Sequence, residues 1–343
     1  MEYNLLPGTD IKVSKICLGT MTWGRQNTVG EAFDQMNYSL ENGVNFFDTA
    51  ELYPVPASPD KYADTEKIIG NWFYKSKKRD KVILATKIAG PGAYTAHIRK
   101  TGFKDNSIDD AVDGSLKRLK TDYIDLYQLH WPERITNTFG NRGFQYAKDS
   151  WEDNFIEVLE KLDKIIKSGK IRHVGLSNEN PWGIMKFIEY SKKGLPKMIT
   201  IQNPYSLLNR LFEVGSAEIC KYENVGLLAY SPLAFGVLTG KYFKNKIPKN
   251  SRLDLFPTLK RYNGKNSMKA ALLYKKIADK HNLSLTELSL SFVSNRPFVT
   301  SNIIGATNMN QLKENIESIN IKLTDDIVSE VNFVQEIYPN PAP

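Results

Sequence analysis

Short runs of apolar and β-branched residues recur along the whole chain, each followed by a polar segment with the spacing of an amphipathic helix. Eight runs stand out: Ile16–Gly19, Val44–Phe47, Val82–Ala85, Ile124–Leu129, His173–Leu176, Met198–Ile201, Gly226–Ala229 and Asn302–Ile304. Runs of this length read as buried strands, and the periodic segments between them as crossover helices. Ile108, Ala111, Val112, Ser115, Leu116 and Leu119 share one face of a helix predicted over Asp105–Leu119. Phe155, Val158, Leu159, Leu162 and Ile166 do the same over Phe155–Ile166. Asn106 with Asp109 three residues on, and Thr324 before Asp325, mark helix starts, where a short side-chain oxygen can accept from a free N–H of the first turn. Alternating strands and helices build a parallel sheet of the α/β class, and eight such units over about 300 residues fit a closed (β/α)8 TIM barrel. No Gly-x-Gly-x-x-Gly turn follows a strand, which argues against an open dinucleotide-binding sheet.

The start of the chain does not fit the repeat. Tyr3–Ile16, with Pro7-Gly8 between extended stretches, reads as an N-terminal β-hairpin that caps the bottom of the barrel. No linker splits the sequence, so residues 1–343 are expected to form one domain. Three connections are long, Tyr53–Asp64, Trp131–Ser150 and Leu238–Ser267. Loops leaving the strand C-termini build the active site of a barrel, so these are expected around its mouth.

Composition removes several classes. A 41% hydrophobic, 24% charged chain is neither disordered nor fibrous. Met1–Asp10 lacks the basic stretch and apolar core of a signal peptide. The longest uncharged stretch, Asn224–Gly240, is too short for a membrane span and contains Pro232. Two cysteines, Cys17 and Cys220, make neither a disulfide framework nor a metal cluster, so a cytoplasmic setting is expected. The net charge of +8 is modest, and its one dense cluster, Tyr74–Lys81, reads as a solvated helix end, so no nucleic-acid or membrane partner is expected. The basic balance does suit a phosphorylated cofactor or substrate.

The candidate chemistry sits where the strands end. Asp48 closes the second run, Lys87 the third and His130 the fourth, and Tyr53 follows Asp48 by five residues on a loop that can return over the same opening. An acid, a lysine, a tyrosine and a histidine at one barrel mouth form a proton-transfer set with no metal-ligand cluster among them. A tyrosine hydroxyl, ordinarily near pKa ~10, becomes a better acid beside an ammonium. Lys87 is expected to supply that charge, Asp48 to keep the lysine cationic, and His130 to orient a substrate oxygen.

Together these residues resemble a known family. Gly43-Val44-Asn45-Phe46-Phe47-Asp48-Thr49-Ala50-Glu51-Leu52-Tyr53 and Asp125-Leu126-Tyr127-Gln128-Leu129-His130-Trp131-Pro132 are similar to the second- and fourth-strand signatures of the aldo-keto reductases. Segments at Gly169–Asn178, Ile201–Ser206, Leu228–Leu233 and Ile303–Thr307 continue the match in family order. Met21-Thr22-Trp23-Gly24, Tyr53-Pro54-Val55-Pro56, Gly70-Asn71-Trp72 and Asn203–Arg210 resemble the Tas-type bacterial members most.

The resemblance implies an NADPH-binding barrel that reduces an aldehyde or ketone, with Tyr53 as proton donor, Lys87 and Asp48 tuning it, and His130 orienting the carbonyl. It assigns Ser177, Asn178 and Gln202 to the nicotinamide carboxamide and Tyr230 to the ring beneath it. Ser231, Leu233, Gly236 and Leu238 match the loop over the pyrophosphate, and Lys241 and Arg252 match positions near the adenosine phosphate. Gly305, Thr307, Gln311, Glu314 and Asn315 match the adenine end. Gly19, Thr20 and Met21, after the first barrel strand, join the cofactor set. A paired cation site favours NADP over NAD, because a 2′-phosphate needs such a pair.

Trp23 and Trp131 are expected to touch the substrate, and the segment with Phe139, Phe144 and Tyr146 to form an aromatic lid. The same resemblance extends to potassium-channel β subunits, which act mainly as regulatory partners and commonly carry asparagine where this chain has His130. That histidine points to a working reductase. The carbonyl substrate and the oligomeric state are left open.

Overall fold

The computed structural model describes residues 1–146, 148, 150–243, 247–257 and 260–343. Parts of the Trp131–Ser150 and Leu238–Ser267 loops therefore lie outside the described residues. The chain opens with an antiparallel pair, β1 (Tyr3–Leu5) and β2 (Lys12–Ser14), in the register Tyr3↔Ser14. Eight parallel strands then close on themselves: β3 (Ile16–Gly19), β4 (Phe46–Asp48), β5 (Ile83–Ile88), β6 (Ile124–Leu129), β7 (Ile171–Ser177), β8 (Met198–Pro204), β9 (Gly226–Tyr230) and β10 (Val299–Ile304). β10 pairs with both β9 and β3 to complete the barrel. The crossovers include α1 (Val29–Glu41), α2 (Asp64–Ser76), α3 (Ser107–Leu119), α4 (Phe155–Lys167), α5 (Pro181–Ser191) and α6 (Ser216–Tyr222). After β9 come the short α7 (Arg252–Leu255), α8 (Lys265–Lys280) and α9 (Leu285–Ser294), and α10 (Met309–Glu317) and α11 (Asp325–Ile337) follow the last strand.

Strand alternation places the chemistry. Cys17, Phe46, Ala85, Leu126, Leu228 and Ile303 form a buried cluster with Leu6 and Val13 of the hairpin, so the hairpin caps this core as expected. Their neighbours Leu18, Phe47, Leu84 and Tyr127 join the other face, packed against the helices. Stepping by two along each strand carries Phe46 to Asp48, Ala85 to Lys87, Leu126 to Gln128 and on to His130, and Leu228 to Tyr230, all toward the C-terminal mouth.

β3 and β6 match the sequence reading at both ends, β4 is displaced toward Asp48, and β5, β7, β8, β9 and β10 are longer by one to three residues. β10 starts at Val299, three residues before the expected run, and its polar residues are satisfied internally. Ser301 Oγ donates to Ser14 O at 2.7 Å, and Asn302 Nδ2 donates to Ser294 Oγ at 3.0 Å. Asn106 occupies the N-cap of α3 without a side-chain cap bond, whereas Thr324 accepts from Ile327 N as expected.

Candidate active site

Asp48 and Lys87 face each other in the barrel mouth and both are buried. Lys87 Nζ donates to Asp48 Oδ2 at 2.7 Å and to Thr49 O at 2.6 Å. The second carboxylate oxygen, Oδ1, accepts from Gln202 Nε2 at 2.9 Å and from Gln128 Nε2 at 3.2 Å. Burial lowers the Lys87 pKa from its ordinary 10.5, and the Asp48 charge opposes that. The carboxylate thus spends its hydrogen-bonding capacity on three donors, as a buried charge must.

Tyr53 lies against this pair. Its ring centroid is 5.2 Å from Lys87 Nζ and 5.8 Å from the His130 ring. Burial pushes its hydroxyl well above the ordinary 10, the Asp48 charge adds to the rise, and Arg252 opposes it. Burial thus outweighs what an ammonium nearby can do for the phenol, and the Lys87 ammonium is itself bound to the Asp48 carboxylate. His130 is held well below its ordinary 6.5 by burial first and by Lys87 second, so the imidazole is neutral near pH 7. Its Nδ1 is buried without a partner among the described residues.

The residues expected at the nicotinamide form a chain of hydrogen bonds on the neighbouring wall. Ser177 Oγ donates to Gln202 O at 2.9 Å, and Asn178 Nδ2 donates to His130 O at 2.9 Å. Tyr230 Oη donates to Asn178 Oδ1 at 2.6 Å. Leu233, Gly236 and Leu238 lie in or beside the 3₁₀ segment Ala234–Thr239, after Ser231. Gly236 has φ of +90°, a backbone conformation that residues with a side chain rarely adopt, so that turn favours glycine.

Arg252 and Lys241 share this region, since Arg252 lowers the lysine's pKa after burial does. Among the described residues neither cation has a carboxylate within ion-pair reach. Ser251 Oγ and Arg252 Nε are buried without partners. Unpaired buried donors and two uncompensated cations fit a phosphate-bearing cofactor. At the far end, Thr307 donates to Gln311 Oε1 through both N (2.9 Å) and Oγ1 (3.1 Å). Asn315 Nδ2 donates to Gly305 O at 3.1 Å, and Glu314 accepts from Ser284 Oγ at 2.8 Å.

Three of the expected ligand residues make close contacts within the fold. A Cβ on Gly19 would meet Ile303 Cγ2 and Ile304 O at 2.8 Å each, so this glycine allows β3 to approach β10. Thr20 is buried and donates to Asp48 O at 2.9 Å. Trp23 is fully buried among Ile16, Leu18 and Ala32, with Nε1 donating to Gln35 Oε1 at 3.0 Å, so it has no surface to offer a substrate. Met21 packs against the cluster that holds Tyr53. Trp131 also lines this site, with its ring 5.0 Å from His130 and 5.7 Å from Phe139. All three expected lid aromatics are exposed; Phe139 reaches Trp131, and Phe144 meets Tyr146 edge-on. Gln128 on β6, which donates to the Asp48 carboxylate, stands inside the fourth-strand signature, but nothing in the sequence alone gives it a role apart from His130.

An eight-stranded parallel barrel with a buried Asp–Lys pair, a tyrosine and a neutral histidine at its C-terminal mouth is an oxidoreductase scaffold of a definite kind. Residues 15–336 match the Aldo/keto reductase family, and the chain belongs to it. Members of this family are oxidoreductases that generally use NAD(P)H. The chain is 44% identical to the protein "Protein tas" of Escherichia coli K12, over 100% of both chains. It is 33% identical to "Uncharacterized oxidoreductase YrpG" of Bacillus subtilis, covering 99% of this chain and 97% of that one. It is 29% identical to a "Probable voltage-gated potassium channel subunit beta" of rice, covering 99% and 98%. No helix among the described residues is long and apolar enough to cross a membrane.

Proposed function

We propose that this chain is an NADPH-dependent reductase that converts an aldehyde or ketone to an alcohol, with Tyr53 as the proton donor. The observation that carries this reading is a buried tyrosine kept protonated beside a neutral imidazole and a paired lysine. A bound reduced nicotinamide supplies the hydride, and everything else falls to the protein. His130, uncharged, offers a hydrogen bond that holds the carbonyl oxygen toward Tyr53. The tyrosine hydroxyl then gives its proton to that oxygen as negative charge builds there. Lys87, 5.2 Å from the ring, is a cation positioned to face the phenolate that results. Solvent returns the proton once the alcohol leaves.

The cofactor part of the proposal rests on Lys241 and Arg252, the uncompensated cations. It is tested by fluorescence titration with NADPH and NADH, followed by a panel of aldehydes, ketones and quinones. NADPH should bind more tightly, and Arg252→Ala should narrow the gap by about 10-fold or more, the worth of a charged hydrogen bond of roughly 1.5–3 kcal/mol. Equal affinities for the two cofactors would remove the assignment. NADPH binding with no turnover of any carbonyl would favour a potassium-channel β-subunit role, the one in the rice relative's name.

A further inference from the structure

We propose that Glu51 and Arg99 are positioning residues for Tyr53, joining the loop that carries the tyrosine to the loop that follows β5. Glu51 is fully buried two residues before Tyr53. Its backbone N donates to Lys87 O at 3.2 Å, and its side-chain Oε1 accepts from Ala89 N at 2.6 Å. One carboxylate thus continues the β4–β5 pairing past the point where the strands end. Arg99 grips both oxygens: Nη1 pairs with Oε1, and Nη2 donates to Oε2 at 3.0 Å. Tyr62 Oη adds a longer bond to Oε2, at 3.4 Å.

The two loops joined in this way are the ones that hold the tyrosine. Tyr53 shares a buried cluster with Ala50, Leu52 and Ala89, and Ile98, the neighbour of Arg99, packs against that cluster. A buried ion pair is a poor source of net stability but fixes geometry, because bidentate guanidinium–carboxylate contact tolerates little displacement. Its action on Tyr53 is mechanical: the pair fixes the backbone on either side of the shared cluster, and its own hydrogen bonds come from Ala89 N and Tyr62 Oη. The catalytic consequence rests on the reading of Tyr53 as proton donor.

The test uses the full chain and the variants Arg99→Ala, Arg99→Lys and Glu51→Gln. Hydrogen exchange should rise in segments 49–56 and 89–99 of Arg99→Ala and Glu51→Gln and stay unchanged in β8 and β9. Carbonyl reduction by Arg99→Ala should lose about 100-fold in kcat, the cost of misplacing a reacting group by roughly 1 Å. Affinity for NADPH should hold within about twofold. Added guanidinium ion should restore turnover to Arg99→Ala and not to Glu51→Gln, a rescue that general destabilisation does not give. If Glu51→Gln does not fold, Arg99→Lys keeps the charge, loses the fork, and should fall between wild type and Arg99→Ala. Unchanged exchange in both segments, or kcat within about twofold of wild type, overturns the proposal. Raised exchange in a protein whose wild type reduces no carbonyl would sink the reductase reading and leave the pair's hold on the tyrosine loop standing.

Discussion

Lys87 gives its ammonium to Asp48: Nζ lies 2.7 Å from Asp48 Oδ2 and 2.6 Å from Thr49 O, with the centre of the Tyr53 ring 5.2 Å away. The pair therefore works as one nearly neutral unit at the bottom of the mouth. Burial, with the carboxylate next to it, keeps the tyrosine protonated, which suits a donor in reduction and hinders the phenolate that oxidation of an alcohol needs.

Breaking that unit should be costly from either side. Lys87→Met leaves a buried carboxylate without its cation, and a loss of about 3–5 kcal/mol in unfolding free energy is expected. The double variant Lys87→Met, Asp48→Asn should lose less than the sum of the two single variants, because the second change removes the orphaned charge left by the first. Urea denaturation of the four proteins measures this, and strict additivity would mean the two groups are not coupled. Lys87→Met should also shift the rise of alcohol oxidation to higher pH than in wild type, since the bare carboxylate further disfavours phenolate.

The histidine gives a pH signature. His130 has a folded pKa depressed below 6.5, so the unfolded chain takes up a proton on acidification before the folded one does. Stability should be full above pH 6.5 and fall as pH drops below it, by up to about 1.4 kcal/mol per pH unit for this group. His130→Gln should flatten that slope between pH 6.5 and 5. An equal slope in both proteins would show that the imidazole protonates freely in the folded state.

The two tryptophans should separate cleanly. Trp23→Phe removes a buried N–H bond to Gln35, with a stability loss of about 1 kcal/mol or somewhat more and no change in KM across a carbonyl panel. Trp131→Ala should raise KM for bulky carbonyls with little effect on NADPH affinity. Steady-state kinetics on both variants checks this, and a Trp23→Phe protein with altered substrate preference would restore that residue to the pocket.

Much of this architecture could be read along the chain, because βα repetition is a local pattern and strand ends announce themselves by a charged residue after an apolar run. Asp48, Lys87 and His130 were accessible in that way. What could not be read depends on contacts across the fold. Trp23 is an aromatic at a strand end like Trp131, and only the course of its loop, with Trp23 N bonded back to Thr20 O, turns it toward the helices. Glu51 carries no motif separate from its neighbours, and its partner Arg99 is 48 residues away in sequence. The direction of the Tyr53 shift likewise follows from how deeply the folded chain buries the ring and sets it beside Asp48, which spacing does not say.

The central claim is that Tyr53 supplies the proton, and the most direct measurement is single-turnover reduction by Tyr53→Phe with NADPH already bound. The substitution removes one oxygen from a ring held by Ala50, Leu52 and Ala89, so the fold and the cofactor site should remain. NADPH affinity within about twofold of wild type, with reduction slowed by about 1,000-fold or more, is the predicted result, within the upper range for loss of a general acid. Reduction at more than a few per cent of the wild-type rate, with the cofactor equally bound, would contradict the account and place the acid on another group.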